Sequence, residues 1–151
     1  ETGTGHGGLT QFIASLLPDV EIHTFDKVSF PYQKAKFGKY ANIKYYQEDI
    51  YHPDTIDKIC TIAKGKKTCW MFDGGNNKRE FHTFKPHAEA GDILMMHDFA
   101  RSDEMFKDIY ENKARWSWWE SGPEDSMDLT GVEWANESLL EYCVWGVYRK
   151  L

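Results

Sequence analysis

Five acids stand where a fold can put them to chemical use. Glu1 opens ETGTGHGG, and Asp26, Asp49, Asp73 and Asp98 each end or follow a short apolar or alternating run: VEIHTFD, NIKYYQED, KTCWMFD and GDILMMHD. A carboxylate at a strand end can accept from hydroxyl or amino groups, attract a cation or take a proton. His97 stands beside Asp98, and imidazole is the side chain whose ordinary pKa suits proton transfer near neutrality. Glycines 3, 5, 7 and 8 interleave with Thr2, Thr4 and His6 ahead of an apolar run. Small residues let a backbone approach a ligand, and the helix that follows offers free N–H groups and a positive dipole end.

The elements that must position these residues alternate. Leu9, Phe12, Ile13, Leu16 and Leu17 recur at helical spacing until Pro18, and Val20 to Phe25 alternates as a strand. The basic, tyrosine-rich PYQKAKFGKY suggests a short helix, NIKYYQED a strand, and HPDTIDKICTIAKG a helix with Ile56, Ile59, Ile62 and Ala63 on one face. KTCWMFDGG is a compact strand breaking at Asp73-Gly74-Gly75. KREFHTFKPHAEAG is a helix that Pro86 kinks or shortens, and GDILMMHDF is a further strand. DEMFKDIYENK reads as a helix, RWSWWES as a strand or aromatic loop, GPEDSMDLTGVEWANES as loop, and LLEYCVWGVYRKL as a long final strand. Strand–helix alternation predicts a mostly parallel α/β sheet, with ligands at the carboxyl edge where the acids gather. No repeat or linker divides the chain, so a single domain over residues 1–151 is expected.

Composition narrows the classes. The chain has 151 residues, enough to bury a core, and carries 18 Lys and Arg against 24 Asp and Glu, a net charge of -6. That balance argues against a non-specific nucleic-acid binder, though not against a nucleic-acid substrate met through a local basic patch. Cys60, Cys69 and Cys143 are odd in number and lack CxxC spacing, which disfavours disulfides or zinc and suggests reduced, cytoplasmic thiols. No apolar run approaches the roughly 20 residues of a membrane span.

The glycines fit two ligands. Gly3, Gly5 and Gly8 satisfy G-x-G-x-x-G, with Asp26 near the distance of a ribose-binding acid, the fingerprint of a dinucleotide. Glu1, Gly3, Thr4, Gly5 and Gly7 satisfy acid-x-Gly-x-Gly-x-Gly, which resembles motif I of class I S-adenosylmethionine (SAM)-dependent methyltransferases. An acid at that position repels a pyrophosphate but attracts the cationic amine and sulfonium of SAM, so Glu1 favours SAM. The resemblance implies that Asp26 binds the ribose hydroxyls, that Asp49 accepts from the adenine amino group, and that Ile50 lies by the adenine face.

The stretch CWMFDGGNNKREFHTFKPHAEAGDILMMHDF looks like the small methyltransferase domains related to cephalosporin hydroxylases and macrocin-type sugar O-methyltransferases. Asp73, Gly74, Gly91, His97 and Asp98 carry that likeness, which runs from Glu1 to about Phe99. It implies a Rossmann-like methyltransferase sandwich, mostly parallel with an antiparallel C-terminal strand, and methyl transfer to a small-molecule or sugar hydroxyl. Asp73, His97 and Asp98 are then the catalytic candidates, with Asp73 also at the cofactor. Members of that family that bind Mg²⁺ gather carboxylates from these strand ends. Here Asp73 and Asp98 would supply two, with a carbonyl oxygen from Asn76 or Asn77. Gly75 and Asn76 depart from the family's usual acid and His.

Two other classes stay open: an NAD(P)-binding oxidoreductase, and a SAM-binding domain without catalysis. Trp116, Trp118 and Trp119 either wall an acceptor pocket or pack over the sheet edge or a subunit contact of a homo-oligomer. His82 and His87 read as surface or packing residues, and the His6 side chain as incidental to its loop. Motif I normally follows a central apolar strand, and nothing precedes Glu1, so a first strand is expected to be missing through truncation of a longer natural chain.

Overall fold

A computed structural model describes residues 1–97, 128–135 and 145–151, and the chain divides into two compact units, Glu1–Ile62 and Ala63–Leu151. Both are mixed α/β. The predicted helix DEMFKDIYENK, the segment RWSWWES with Trp116, Trp118 and Trp119, Asp98, and most of LLEYCVW lie outside the described residues.

The first unit holds α1 (Gly8–Leu16), β1 (Ile22–Asp26), α2 (Gln33–Phe37), β2 (Ile43–Gln47) and α3 (Pro53–Ala63), whose last residue crosses the boundary. Strands β1 and β2 are parallel, with Ile22 against Ile43 and Asp26 against Gln47. The opening residues continue this pairing on the other side of β1. Thr2 bridges Phe25 in parallel, the Gly3 N–H donates to Phe25 O (2.9 Å), and the Phe25 N–H donates to Glu1 O (3.0 Å). Glu1 to Gly3 thus pair beside β1, where the missing strand was expected.

The apolar stripe that marks α1 in the sequence is not the face it buries. Thr10 and Ala14 are buried, while Phe12 and Leu16 are each 61% exposed. Small residues let the helix lie close: Ala14 packs with Phe37 and Ile43, joined by Ile22, Tyr40 and Tyr45. Asn42 holds the end of α1, its Nδ2 donating to Leu17 O (3.1 Å) and Val20 O (3.0 Å).

In the second unit β3 (Cys69–Phe72), β4 (Ile93–Met96), β5 (Val132–Trp134) and β6 (Gly146–Lys150) form a sheet in the order β3-β4-β6-β5. Strands β3 and β4 are parallel, while β6 runs antiparallel to both β4 and β5. The antiparallel terminal strand agrees with the sequence reading. GVEW, read as loop, forms the edge strand β5, because its three residues pair with β6 from Val132–Lys150 to Trp134–Tyr148. α4 (Asn77–Phe84) ends as expected near Pro86, in a 3₁₀ turn at Lys85–His87. Phe72, Phe81, Phe84, Leu94 and Tyr148 are essentially fully buried, and burial pushes the Tyr148 hydroxyl well above its ordinary pKa.

Buried polar groups staple this unit. Asp92 Oδ2 accepts from the Trp70 indole (3.0 Å) and the Glu89 N–H (3.0 Å), and its Oδ1 from the Thr68 N–H (3.0 Å). The Lys85 ammonium reaches Asp128 Oδ2 (2.8 Å), and that bond, with others from Thr130, holds the Asp128 carboxyl well below the usual carboxylate range. Cys60 and Cys69 are free thiols, while Cys143 lies outside the described residues. No helix among the described residues is long and apolar enough to cross a membrane.

Candidate functional site

The glycine loop joins the β1-paired opening residues to α1. Gly3, Gly5 and Gly7 all have positive φ, at 86°, 48° and 74°. Gly7 is doubly constrained: it is the left-handed N-cap of α1, and a Cβ there would meet Phe37 Cζ at 2.5 Å. Gly8 needs neither freedom, since a Cβ would meet nothing within 4 Å. The conformation therefore requires the alternating glycines of acid-x-Gly-x-Gly-x-Gly. The third glycine of G-x-G-x-x-G, which that fingerprint reserves for close helix–strand packing, is unconstrained.

Asp26, at the end of β1, accepts from the Gly5 N–H on Oδ2 (2.9 Å) and from the Val28 N–H on Oδ1 (2.8 Å). It ties the strand end to the loop. Glu1 Oε2 receives the hydroxyls of Thr10 (2.5 Å) and Thr24 (2.6 Å), and Thr4 shares a bond with Thr24 (2.7 Å). Thr4, Thr10 and Thr24 are buried, so the carboxylate braces the loop from beneath. Asp49 is exposed, its Oδ1 accepting from the Tyr51 N–H (3.0 Å), and the neighbouring Ile50 is buried.

Gln33 is the residue of this loop that sequence reasoning missed. Fully buried on α2, it donates from Nε2 to Gly5 O (2.6 Å) and accepts from the Phe30 N–H (2.9 Å). Nothing in a lysine-rich helix singles out one glutamine. The His6 ring, taken as incidental, bonds Tyr32 through Nδ1 and stacks on Phe30 with centroids 4.7 Å apart.

In the second unit the β3–β4 register continues one step beyond both strands and brings Asp73 beside His97. The His97 N–H donates to Phe72 O (3.1 Å), and its Nδ1 lies 3.0 Å from Asp73 Oδ1. A carboxylate this close to Nδ1 favours the charged imidazolium by electrostatic attraction. The Trp145 ring packs on the imidazole at 4.7 Å, and Asn77 Nδ2 holds the His97 carbonyl at 2.9 Å.

The Asp73-Gly74-Gly75 turn is closed from within. Glu80, fully buried, accepts from the Gly74 N–H (3.2 Å) and the Asn76 N–H (3.3 Å), and a Cβ on Gly74 would meet Glu80 Oε1 at 2.7 Å. Asn76 Oδ1 accepts from the Arg79 N–H (2.9 Å) as the N-cap of α4. Its oxygen serves the helix, and Asn77 Oδ1 is buried with no hydrogen-bond partner. Among the described residues no three His, Cys, Asp or Glu side chains gather to hold a metal ion. The oxygens offered here among the described residues are those of Asp73 and the Asn77 amide, where a hard cation takes six or more. Asp98, the other carboxylate expected at that metal, lies outside the described residues.

Comparison with known proteins finds one partial likeness. A stretch of 57 residues, 38% of the chain, is 37% identical to ribosomal RNA small subunit methyltransferase A of Caldanaerobacter subterraneus subsp. tengcongensis. The chain spans about a fifth of that relative's length (21%). No family model and no solved structure matches.

Proposed function

We propose that this chain is a SAM-dependent methyltransferase that methylates a hydroxyl of a small molecule or a sugar. The observation that carries the reading is the loop at Gly3, Gly5 and Gly7: three left-handed glycines in alternation, ahead of a helix whose N-cap makes no side-chain bond. A helix start without a side-chain cap is a place where a ligand carboxylate can accept from backbone N–H groups. The partial likeness to a methyltransferase points the same way.

The residues divide the work by chemistry. Asp26, half-exposed at the strand end, is the acceptor for ribose hydroxyls, and Asp49 with Ile50 serves the adenine. Glu1 holds the loop's shape through its threonines. When bound, SAM supplies a sulfonium methyl open to in-line displacement, which asks the protein for positioning and proton removal. His97, oriented by Asp73, accepts the acceptor's hydroxyl proton as the O–C bond forms.

Calorimetric titration with SAM and with NAD tests the ligand. SAM binding without NAD binding is expected, and NAD binding without SAM binding would overturn the reading. Transfer of label from methyl-labelled SAM to a panel of sugars and small alcohols tests the chemistry. With an acceptor in hand, His97→Ala is expected to lower turnover about a hundredfold or more while SAM affinity holds. Tight SAM binding with no transfer to any acceptor would favour a SAM-binding domain without catalysis.

A further inference from the structure

The stretch from Lys27 to Tyr40 differs from the rest of the chain. It carries four lysines and no acid, interleaved with Phe30, Tyr32, Phe37 and Tyr40, inside a protein of net charge -6. Phe37 is buried in the first unit's core and Tyr40 packs against it. Lys27, Lys36 and Lys39 are exposed, Tyr32 is 37% exposed, and Phe30 is half-buried.

Three of the rings meet over the glycine loop. His6, between Gly5 and Gly7 and itself exposed, stacks on Phe30 (4.7 Å, 22° between planes) and on Tyr32 (6.1 Å, 7°). Phe30 and Tyr32 lie 5.7 Å apart at 15°. The Lys36 ammonium sits 4.7 Å above the Tyr32 ring. Near-parallel stacking occurs in the buried core too, where Phe72 and Phe84 lie at 10°, so exposure and charge rather than ring angle set this cluster apart. Here His6 and Tyr32 are exposed, Phe30 is half-buried, and a cation tops Tyr32.

Parallel aromatic faces flanked by lysines suit a single-stranded polynucleotide, whose bases stack on rings while its phosphates meet ammonium groups. A folded duplex offers no free base faces, and an acidic peptide would use the lysines without the rings. The overall negative charge does not oppose this, because charges beyond about 8 Å are largely screened at physiological salt. We infer that His6, Phe30 and Tyr32, with Lys27, Lys36 and Lys39, form a docking platform for single-stranded nucleic acid beside the glycine loop. This binding does not rest on the methyltransferase reading.

Fluorescence anisotropy with labelled 12-nucleotide single-stranded RNA and DNA, a duplex, and polyglutamate tests the platform without SAM. Binding of a single strand, with the duplex and polyglutamate at least tenfold weaker, is expected. A preference between the RNA and DNA arms identifies the sugar. Tyr32→Leu is expected to weaken single-strand binding on the order of tenfold, while Tyr32→Phe, which keeps the ring, stays near wild type. Lys36→Ala is expected to flatten the slope of log affinity against log salt by about 0.7. Calorimetry of each variant with SAM reports whether the loop is intact. The platform is overturned if single strands do not bind, if polyglutamate binds equally, or if Tyr32→Leu binds them like wild type. A wild-type chain that binds single strands but not SAM would sink the methyltransferase reading and leave the platform standing.

Discussion

Two turns in this molecule share one plan, strand, acid, glycines, helix, and use it differently. In the first unit the glycines adopt left-handed conformations, and the helix they feed begins at Gly7, with no side-chain cap and no acid in its first turn. In the second, Asn76 caps α4 and the buried Glu80 takes two N–H groups of the turn. Both turns bond their own loop N–H groups, the first through Phe25, Thr4 and Asp26, but the first leaves its helix without a side-chain cap while the second caps its helix with Asn76. An open, positively polarised helix start is a place for a ligand, whereas a closed one holds a strand end in position. On this comparison the first turn is the one proposed to bind a ligand, and the second brings Asp73 beside His97.

The comparison can be broken by substitution. Gly7→Ala is expected to have the largest effect, about 3 kcal/mol of stability from left-handed strain plus overlap with Phe37. Urea unfolding measures it, and a loss under 1 kcal/mol would mean that the loop is not held as described. Glu80→Ala is expected to cost about 2 kcal/mol, since it removes the acceptor for the Gly74 and Asn76 N–H groups and opens a cavity. SAM affinity should follow the folded fraction alone; a specific loss of binding would show that the second turn is also a ligand site.

Asp26→Asn is expected to weaken SAM binding about tenfold, beyond a modest drop in thermal midpoint, because the amide nitrogen cannot accept from the Gly5 or the Val28 N–H. Unchanged affinity would remove Asp26 from the ribose role. Gly8→Ala should be the mildest, neutral or stabilising by up to about 1 kcal/mol, as its Cβ enters open space at a helical position. A strong loss of ligand binding there would revive the dinucleotide fingerprint, which depends on that glycine.

Strand and helix order was legible in the sequence wherever a pattern was strong and local. The runs at β1, β2, β3 and β4 and the helical stripes of α1 and α3 all read through, because alternation and 3.6-residue spacing are properties of a few neighbouring residues. β5 was not legible. Three residues of mixed polarity become a strand only when β6 lies alongside to pair with them. The exposed stripe of α1 misleads for a similar reason, since Thr10 and Ala14 are buried by a polar bond and a close approach that periodicity does not register.

What the sequence determined by itself was the set of candidate groups and their order: acids at strand ends, alternating glycines ahead of a helix, and a histidine one strand away from Asp73. Those are covalent facts, and residue chemistry follows from them. Tertiary structure alone decided which glycines are obligatory, that Glu1 faces threonines, that Glu80 closes the second turn, and that His6 joins Phe30 and Tyr32. Each depends on groups distant along the chain coming within hydrogen-bonding or van der Waals range. Packing, not local propensity, chooses such partners.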